Sequence, residues 1–243
     1  MTRRLLAVFA HPDDETYRPG GTLALLAKAG VRVHVLTATR GEAGSCGDPP
    51  RCIPDALPII REAELRCACR ELGLEEPVIM GLPDGQLSSL DPKEIQTKIL
   101  EAIAAFHPQI ILSFGPHGIS GHPDHIAIGR SALNAYRQCE DILAFYSIVV
   151  PSSIVKSMSL PNLHATPDNQ ITHTIDISEV WMSKLKAIAC HQTQMAESPI
   201  LKADDKSQRI FLGQEHFCLV ERRKDIRKTA SVEGDLVEWI ALG

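Results

Sequence analysis

Leu5-Leu6-Ala7-Val8-Phe9-Ala10-His11-Pro12-Asp13-Asp14-Glu15 is the stretch from which the rest of the chain is read. Its apolar start has the pattern of a short strand buried on both faces. Pro12 ends the run, because proline has no N–H to give to a ladder. One imidazole and three carboxylates therefore arrive together at the C-terminal end of a buried strand. In open α/β sheets that edge is where ligands bind, and packing alone does not ask for such residues there. Much later, Gly121-His122-Pro123-Asp124-His125 repeats the same chemistry.

Working outward, the pattern alternates. Gly20-Gly21 opens a helix over Thr22–Lys28 that Gly30 stops, and Val31–Thr37 is a β-branched second strand. The Gly- and Pro-rich segment from Gly41 to Pro58 is long for a connection, as binding loops and lids are. Helix Ile60–Leu72 and strand Pro77–Met80 follow. Asp91 caps the next helix, with Pro92 at its first position and Glu94 completing a capping box, and the helix runs to Phe106. Strand Gln109–Phe114, helix Ile126–Tyr136 and strand Ile142–Val150 continue the series. Beyond it, Pro151–Gln170 reads as irregular, Ile171–Ile177 as a strand and Ser178–His191 as a helix. Residues 199–223 read as a helix and then strand Phe217–Glu221, and the last twenty residues show no clear pattern. This alternation predicts the α/β class: one domain over residues 1–243, with a mostly parallel sheet and helices on both faces. Residues 1–150 make its core and 151–243 complete it. Both acid–histidine motifs then fall after strands on one edge of the sheet.

Composition narrows the function. Of 243 residues, 44% are hydrophobic and 23% charged, which supports a folded core. Twenty-five Lys and Arg against 30 Asp and Glu leave a net charge of −5, which argues against nucleic acid as partner. No stretch reaches the roughly 18 apolar residues of a membrane span. The apolar run after Met1-Thr2-Arg3-Arg4 is shorter than a secretory h-region and no cleavage site follows, so a cytoplasmic location is expected. The seven cysteines, Cys46, Cys52, Cys67, Cys69, Cys139, Cys190 and Cys218, read as free thiols. A local Cys46–Cys52 disulfide is the alternative.

The two motifs carry the chemistry. His11 and Asp14 are three residues apart, as are His122 and His125, so each pair can face one point from a first helical turn. Two histidines and a carboxylate make an open zinc site whose water has a pKa of about 7. Asp13, beside a ligand, is placed to deprotonate that water. The left-over histidine is placed to protonate a leaving amine or to stabilise an oxyanion. Such an inventory suits hydrolysis of an amide. Singly, each residue has a plainer reading: a hydrogen-bonding histidine at a strand end, or an Asp after Pro that forms a turn. Together they set several uncompensated charges at one edge, which favours a metal. Glu15 reads either as a partner behind a ligand histidine or as an exposed acid at a helix start. His117 reads as a loop residue, and Trp181, Tyr136 and Phe145 as core. Glu215-His216-Phe217 either faces solvent or approaches the site.

At these residues the sequence resembles the PIG-L/LmbE-like zinc-dependent de-N-acetylases. Ala-His-Pro-Asp-Asp-Glu at 10–15 with Gly20-Gly21-Thr22 looks like their first motif, and His122-Pro123-Asp124-His125 like their second. Thr39-Arg40-Gly41-Glu42-Ala43-Gly44, Arg61-Glu62-Ala63-Glu64-Leu65 and Leu82-Pro83-Asp84-Gly85 match between them, and His191-Gln192-Thr193-Gln194 more loosely. The resemblance implies a Rossmann-like fold holding Zn2+ through His11, Asp14 and His125, a ligand set that also suits Fe2+. It implies Asp13 as general base, His122 as electrophile or general acid, and Arg61 and Asp84 as substrate-holding residues. His122 is expected to act as the imidazolium, with Asp124 helping to hold the charge. The activity implied is removal of acetyl from an N-acetylglucosamine-type sugar or glycoconjugate, and some relatives cleave other amides such as thiol conjugates. A nucleotide-binding Rossmann module is the competing reading. It is disfavoured, because Gly-x-Gly-x-x-Gly is missing after the first strand and acids crowd the phosphate's place. A catalytically silent binding protein is a third, against which the presence of Asp13 and every ligand argues. A homo-oligomer stays open.

Overall fold

The computed structural model describes residues 2–223 and 235–241. β1 (Arg4–Phe9) is apolar from Leu5 onward, as suits an interior strand of a seven-stranded sheet. β2 (Arg32–Thr37) and β4 (Ile110–Phe114) flank it, both parallel to it. β3 (Val78–Ile79) lies outside β2, and β5 (Ala144–Val149) outside β4. With β6 (His173–Asp176) and β7 (Gln214–Arg222), the order is β3-β2-β1-β4-β5-β7-β6. β7 runs antiparallel to both of its neighbours. The sheet is thus mostly parallel, with its departure confined to the late strands.

A single turn, α1 (Asp14–Tyr17), is followed by α2 (Gly20–Lys28) and α3 (Leu57–Glu71). Then come α4 (Pro92–Phe106), the one-turn α5 (Gly118–Gly121) and α6 (Pro123–Gln138). After β5 lie α7 (Ser152–Ser157), α8 (Trp181–Cys190), α9 (Pro199–Lys202), α10 (Asp205–Leu212) and α11 (Leu236–Ala241). α8 packs on α2 and α3, whereas α4 packs on α6, giving one helical layer on each face. Chain order reverses between β1 and β4, where the strand ends diverge into the crevice that binds ligands in such sheets. The first motif leaves β1 and the second follows β4, so both open on that crevice.

Several boundaries differ from the sequence reading. β3 keeps only two residues, and α6 begins at Pro123, using the fixed φ of proline for its first turn. The segment 151–170, expected to be irregular, contains α7. Trp181, Tyr136 and Phe145 are core residues, as their periodicity indicates. The cysteine reading needs correction: Cys67 and Cys190 form a disulfide with Cα atoms 5.8 Å apart, while Cys46 and Cys52 are free. Packing of α3 on α8 brings together residues 123 positions apart, which spacing along the chain cannot reveal. Of the last twenty residues, 224–234 and 242–243 lie outside the described part, while Leu236 and Trp239 of α11 are buried. Among the described residues no helix is long and apolar enough to cross a membrane.

Glu215 neither faces solvent nor enters the crevice. Its carboxylate accepts the N–H groups of Gly21 and Thr22, at 2.8 and 2.6 Å, at the N-terminus of α2. Lys184 donates to it at 2.6 Å and to the Leu212 carbonyl at 2.8 Å, with both side chains fully buried. The helix N-terminus where a nucleotide-binding sheet holds phosphate is therefore filled by the chain's own carboxylate. Burial lowers the Lys184 pKa, opposed by the Glu215 charge. Replacing Lys184 with Met keeps the length of the side chain and leaves Glu215 buried without its cation. A loss of about 3–5 kcal/mol is expected in urea unfolding, and a loss below about 1 kcal/mol would show that the α2 N-terminus suffices for Glu215.

Candidate metal centre and active site

Pro12 breaks β1 and turns the chain, so that His11 stands on the strand end and Asp14 opens α1. His125 comes from the first turn of α6, its ring stacked on Phe114 of β4 at 4.1 Å. Nδ1 of His11 and Nε2 of His125 are 3.2 Å apart. Asp14 reaches them with its two oxygens, Oδ1 at 3.2 Å from His125 Nε2 and Oδ2 at 3.7 Å from His11 Nδ1. The outer nitrogens fix both tautomers. His125 Nδ1 donates to the Gly118 carbonyl at 3.0 Å, leaving Nε2 with a lone pair. His11 Nε2 donates toward Asp84 Oδ1 at 3.1 Å and Asp124 Oδ2 at 3.4 Å, leaving Nδ1 with a lone pair. Gly118 is required here, because a Cβ at its position would run into His125.

Two lone pairs and a carboxylate turned on one point repel unless a cation joins them. Ligands about 2.0–2.1 Å from a tetrahedral zinc stand about 3.3 Å from one another, and two of the three separations here, both 3.2 Å, are close to that. The charges agree. Burial alone would lower the His11 pKa, yet the bonds to Asp124 and Asp84 and the charge of Asp14 push it up to about 10. Burial would raise Asp14, but the His125 and His11 charges hold it well below the carboxylate range. The acids thus demand positive charge where the three ligand atoms meet. A divalent ion fits the set His11, Asp14 and His125. His11 also faces His122 and Asp124 in a second such group, but the bond from Nε2 to Asp84 commits that side of the ring to holding it in place.

Asp13 sits at φ 113°, a region that side-chain-bearing residues seldom adopt and that marks strain at functional sites. Its neighbours hold it there. The Asp13 N–H donates to Glu15 at 2.9 Å, and the Thr16 hydroxyl donates to its carbonyl at 2.8 Å. Arg61 Nη2 donates to Asp13 Oδ2 at 3.1 Å and also to the Pro12 carbonyl, while Nη1 holds Gly41 O at 2.9 Å. Burial, with Asp14 and Glu15 adding to it, pushes the Asp13 pKa up to about 6 against the pull of Arg61 and His191. Glu15 is completely buried and bonds His191 Nε2 at 2.6 Å. That burial rules out the exposed-acid reading.

Arg61 and Asp84, expected to hold substrate, each bond to other parts of the chain. Arg61 is buried with its donors on Pro12, Asp13 and Gly41. Asp84 uses one oxygen on His11 and the other on the Ala43 N–H, at 2.9 Å. Neither lines the cavity of about 1130 Å³ that opens beside Asp14 and His125, and nor do His11, Asp13 and His122. His122 caps α6, its Nδ1 accepting the Asp124 N–H at 3.2 Å, which assigns the ring proton to Nε2. Burial, followed by the His11 and His125 charges, holds the His122 pKa below its ordinary value. Nδ1 is thereby engaged as an acceptor, where the sequence reading expected an imidazolium. Asp124 lends it little, because its oxygens accept the Gly85 and Leu87 N–H groups at 2.8 and 2.9 Å and face His11. His117 stacks on His164 instead of joining the cluster. Asp124 and the Glu15–His191 couple were the parts sequence reasoning undervalued. Asp124 could have been found as the acid inside a His-Pro-Asp-His run, whereas the reach of Glu15 to His191, 176 positions away, left no signal.

Comparison with known proteins agrees with this geometry. The family profile described as PIG-L, GlcNAc-PI de-N-acetylase, matches residues 6–136. A 1D-myo-inositol 2-acetamido-2-deoxy-alpha-D-glucopyranoside deacetylase from Rhodococcus jostii is 31% identical over 96% of this chain and 97% of its own. This chain belongs to the PIG-L family. Within it, the probable N-acetyl-alpha-D-glucosaminyl L-malate deacetylase 2 of Bacillus cereus is 32% identical over 80% of this chain and 84% of its own. The fold is shared with the N,N'-diacetylchitobiose deacetylase of Pyrococcus horikoshii, at a TM-score of 0.65 and 19% identity over 90% of this chain and 84% of that one.

The clamp on Asp13 is testable through Gly41. At φ 71°, a Cβ there would fall inside the Arg61 guanidinium. Gly30, at φ 78°, has nothing within 4 Å of the same position. Gly30→Ala should lose about 1–2 kcal/mol from backbone strain alone. Gly41→Ala should lose at least about 1 kcal/mol more, from overpacking. Equal losses in denaturant titrations would show that Arg61 yields freely.

Proposed function

We propose that this chain hydrolyses the acetamido group of an N-acetylglucosamine-type glycoside, releasing acetate and the free amine. The observation that carries the reading is the convergence of His11, Asp14 and His125 lone pairs on one point, beside a carboxylate held in a strained turn. The names of the relatives supply the sugar. His11, Asp14 and His125 would hold a zinc ion, whose chemistry when bound is to polarise a carbonyl and to bring the pKa of a water to about 7.

The remaining work belongs to side chains. Arg61 holds the Asp13 carboxylate toward the centre, where Asp13 takes a proton from the attacking water. The water oxygen bonds to the acyl carbon as the carbonyl oxygen gains negative charge. His122, with its proton on Nε2, donates to that oxygen as a neutral hydrogen-bond donor. The C–N bond then breaks, and Asp13 returns its proton to the leaving amine. Asp84 and Asp124 keep His11 turned, and Glu15 with His191 keeps the Asp13 backbone in place.

His11→Ala, Asp14→Ala and His125→Ala should each lose most bound zinc in metal analysis after dialysis. Wild-type stoichiometry in all three would overturn the ligand set. Asp13→Asn should keep its zinc and lose about 10²–10⁴-fold in turnover of an N-acetylglucosaminide. Undiminished turnover would move the base role elsewhere. His122→Ala should also keep the metal and fall by about 10²-fold or more in kcat. A loss confined to KM would leave His122 a substrate contact.

A further inference from the structure

Arg61 and His191 support the Asp13 turn from two different places, and one covalent bond joins those places. Arg61 lies on α3, as does Cys67. Cys190 ends α8, and His191 follows it directly. The Cys67–Cys190 bond is therefore set beside the couple in which His191 bonds Glu15 and Glu15 accepts the Asp13 N–H.

His191 stands at a helix C-terminus, where the last carbonyls lack helical partners and the end frays. Its ring bonds Glu15 through Nε2, while Nδ1 is buried with no partner among the described residues. A shift of the backbone at Cys190 therefore carries Nε2 with it. The segment has a second clamp in Glu64 of α3, whose carboxylate accepts the Thr193 N–H and hydroxyl at 2.8 and 2.7 Å. Thiol chemistry opens the first clamp and leaves the second. Both bonded cysteines are half-buried, so a small thiol reaches them. Cys69 is buried, and burial pushes its pKa well up, so the opened bond does not reshuffle onto it.

We propose that the Cys67–Cys190 bond is a redox control on the placement of Asp13. Closed, it holds His191 and, through Glu15, the Asp13 backbone. Opened by a dithiol, it lets the 190–191 backbone shift while Glu64 keeps the segment docked. One thiolate of the dithiol attacks a sulfur of the bond, the S–S bond breaks, and the dithiol's other sulfur displaces the mixed disulfide. Cys67 and Cys190 gain two electrons and two protons as thiols, and the dithiol becomes a disulfide. The base role of Asp13 rests on the function proposed above, whereas the coupling of the bond to residues 13–15 rests on the contacts.

The full chain is reduced with dithiothreitol, freed of it without oxygen, and loaded with zinc. Titrated thiols should rise from five to seven. On methyl N-acetylglucosaminide kcat should fall about tenfold, inside the roughly 10²-fold that a 1 Å misplacement costs. KM and zinc per chain should hold, and oxidised glutathione should restore kcat. The double variant Cys67→Ser, Cys190→Ser should stay at the reduced value and ignore the thiol. Hydrogen exchange reads the coupling without activity: the 11–17 peptide, with the Asp13 and Thr16 N–H groups, should exchange faster on reduction, and α4 should not change. Unchanged exchange at 11–17 overturns the proposal, whether or not any sugar is hydrolysed. Faster exchange across the whole chain, or lost zinc, would also overturn it, making the bond a general staple. Faster exchange at 11–17 with unchanged kcat supports the coupling and removes the base role of Asp13 instead.

Discussion

Asp13, Asp14 and Glu15 are three consecutive carboxylates at the end of one buried strand, and like charges so close must be sent to different partners. The turn after Pro12 does this. Asp13, at positive φ, points to Arg61; Asp14 faces the two histidines; and Glu15 turns inward to His191. Each acid meets its partner in a different direction. The arrangement also sorts their chemistry. Asp14 stays ionised between the two histidines, Asp13 is pushed up toward neutrality, and Glu15 is spent on holding the backbone.

The scaffold that supplies those partners is drawn from the whole chain. Arg61 and Glu64 lie on α3, and Glu64 binds the N–H and hydroxyl of Thr193, two residues after His191. The Cys67–Cys190 disulfide joins α3 to the residue before His191. The partner of Asp13 and the partner of Glu15 are therefore fixed relative to each other as well as to the acids. On the other face of the crevice, Asp124 links the 84–87 turn to His11. The loops that carry Gly41, Ala43 and Gly85 are all pinned to this cluster through backbone groups.

Much of this was legible before any coordinates. The run Leu5–Phe9 can only be a strand buried on both faces, and its termination by Pro12 puts His11 at the sheet edge. The equal spacing of His11 to Asp14 and of His122 to His125 set out the cluster that the fold assembles. Arg61 and Asp84 were visible as motif positions, but their contacts were not, since periodicity cannot say whether a buried Arg faces a ligand or a carbonyl. Cys67 and Cys190, Lys184 and Glu215, and Glu15 and His191 are pairs separated by a large part of the chain. Their partners are set by how α8 and β7 pack late in the sequence, where the pattern of alternation weakens. The capping bond of His122 was not visible for a local reason. Its capping bond to the Asp124 N–H, not the Asp124 charge, decides which nitrogen carries the proton.

The position of these partners has a consequence for how the chain is made. Glu15 waits for His191, 176 residues later, and the N–H groups of α2 wait for Glu215, 194 residues after Gly21. At roughly 5–20 residues per second of synthesis, the first strand leaves the ribosome about 10–40 s before these groups exist. During that interval a folded N-terminal half would bury an unpartnered acid and an open helix end. Those two sites are completed only when α8 and β7 are in place. Contacts of such high separation slow folding. They also leave the turn of Asp13, Asp14 and Glu15 without its last partner until His191 is made.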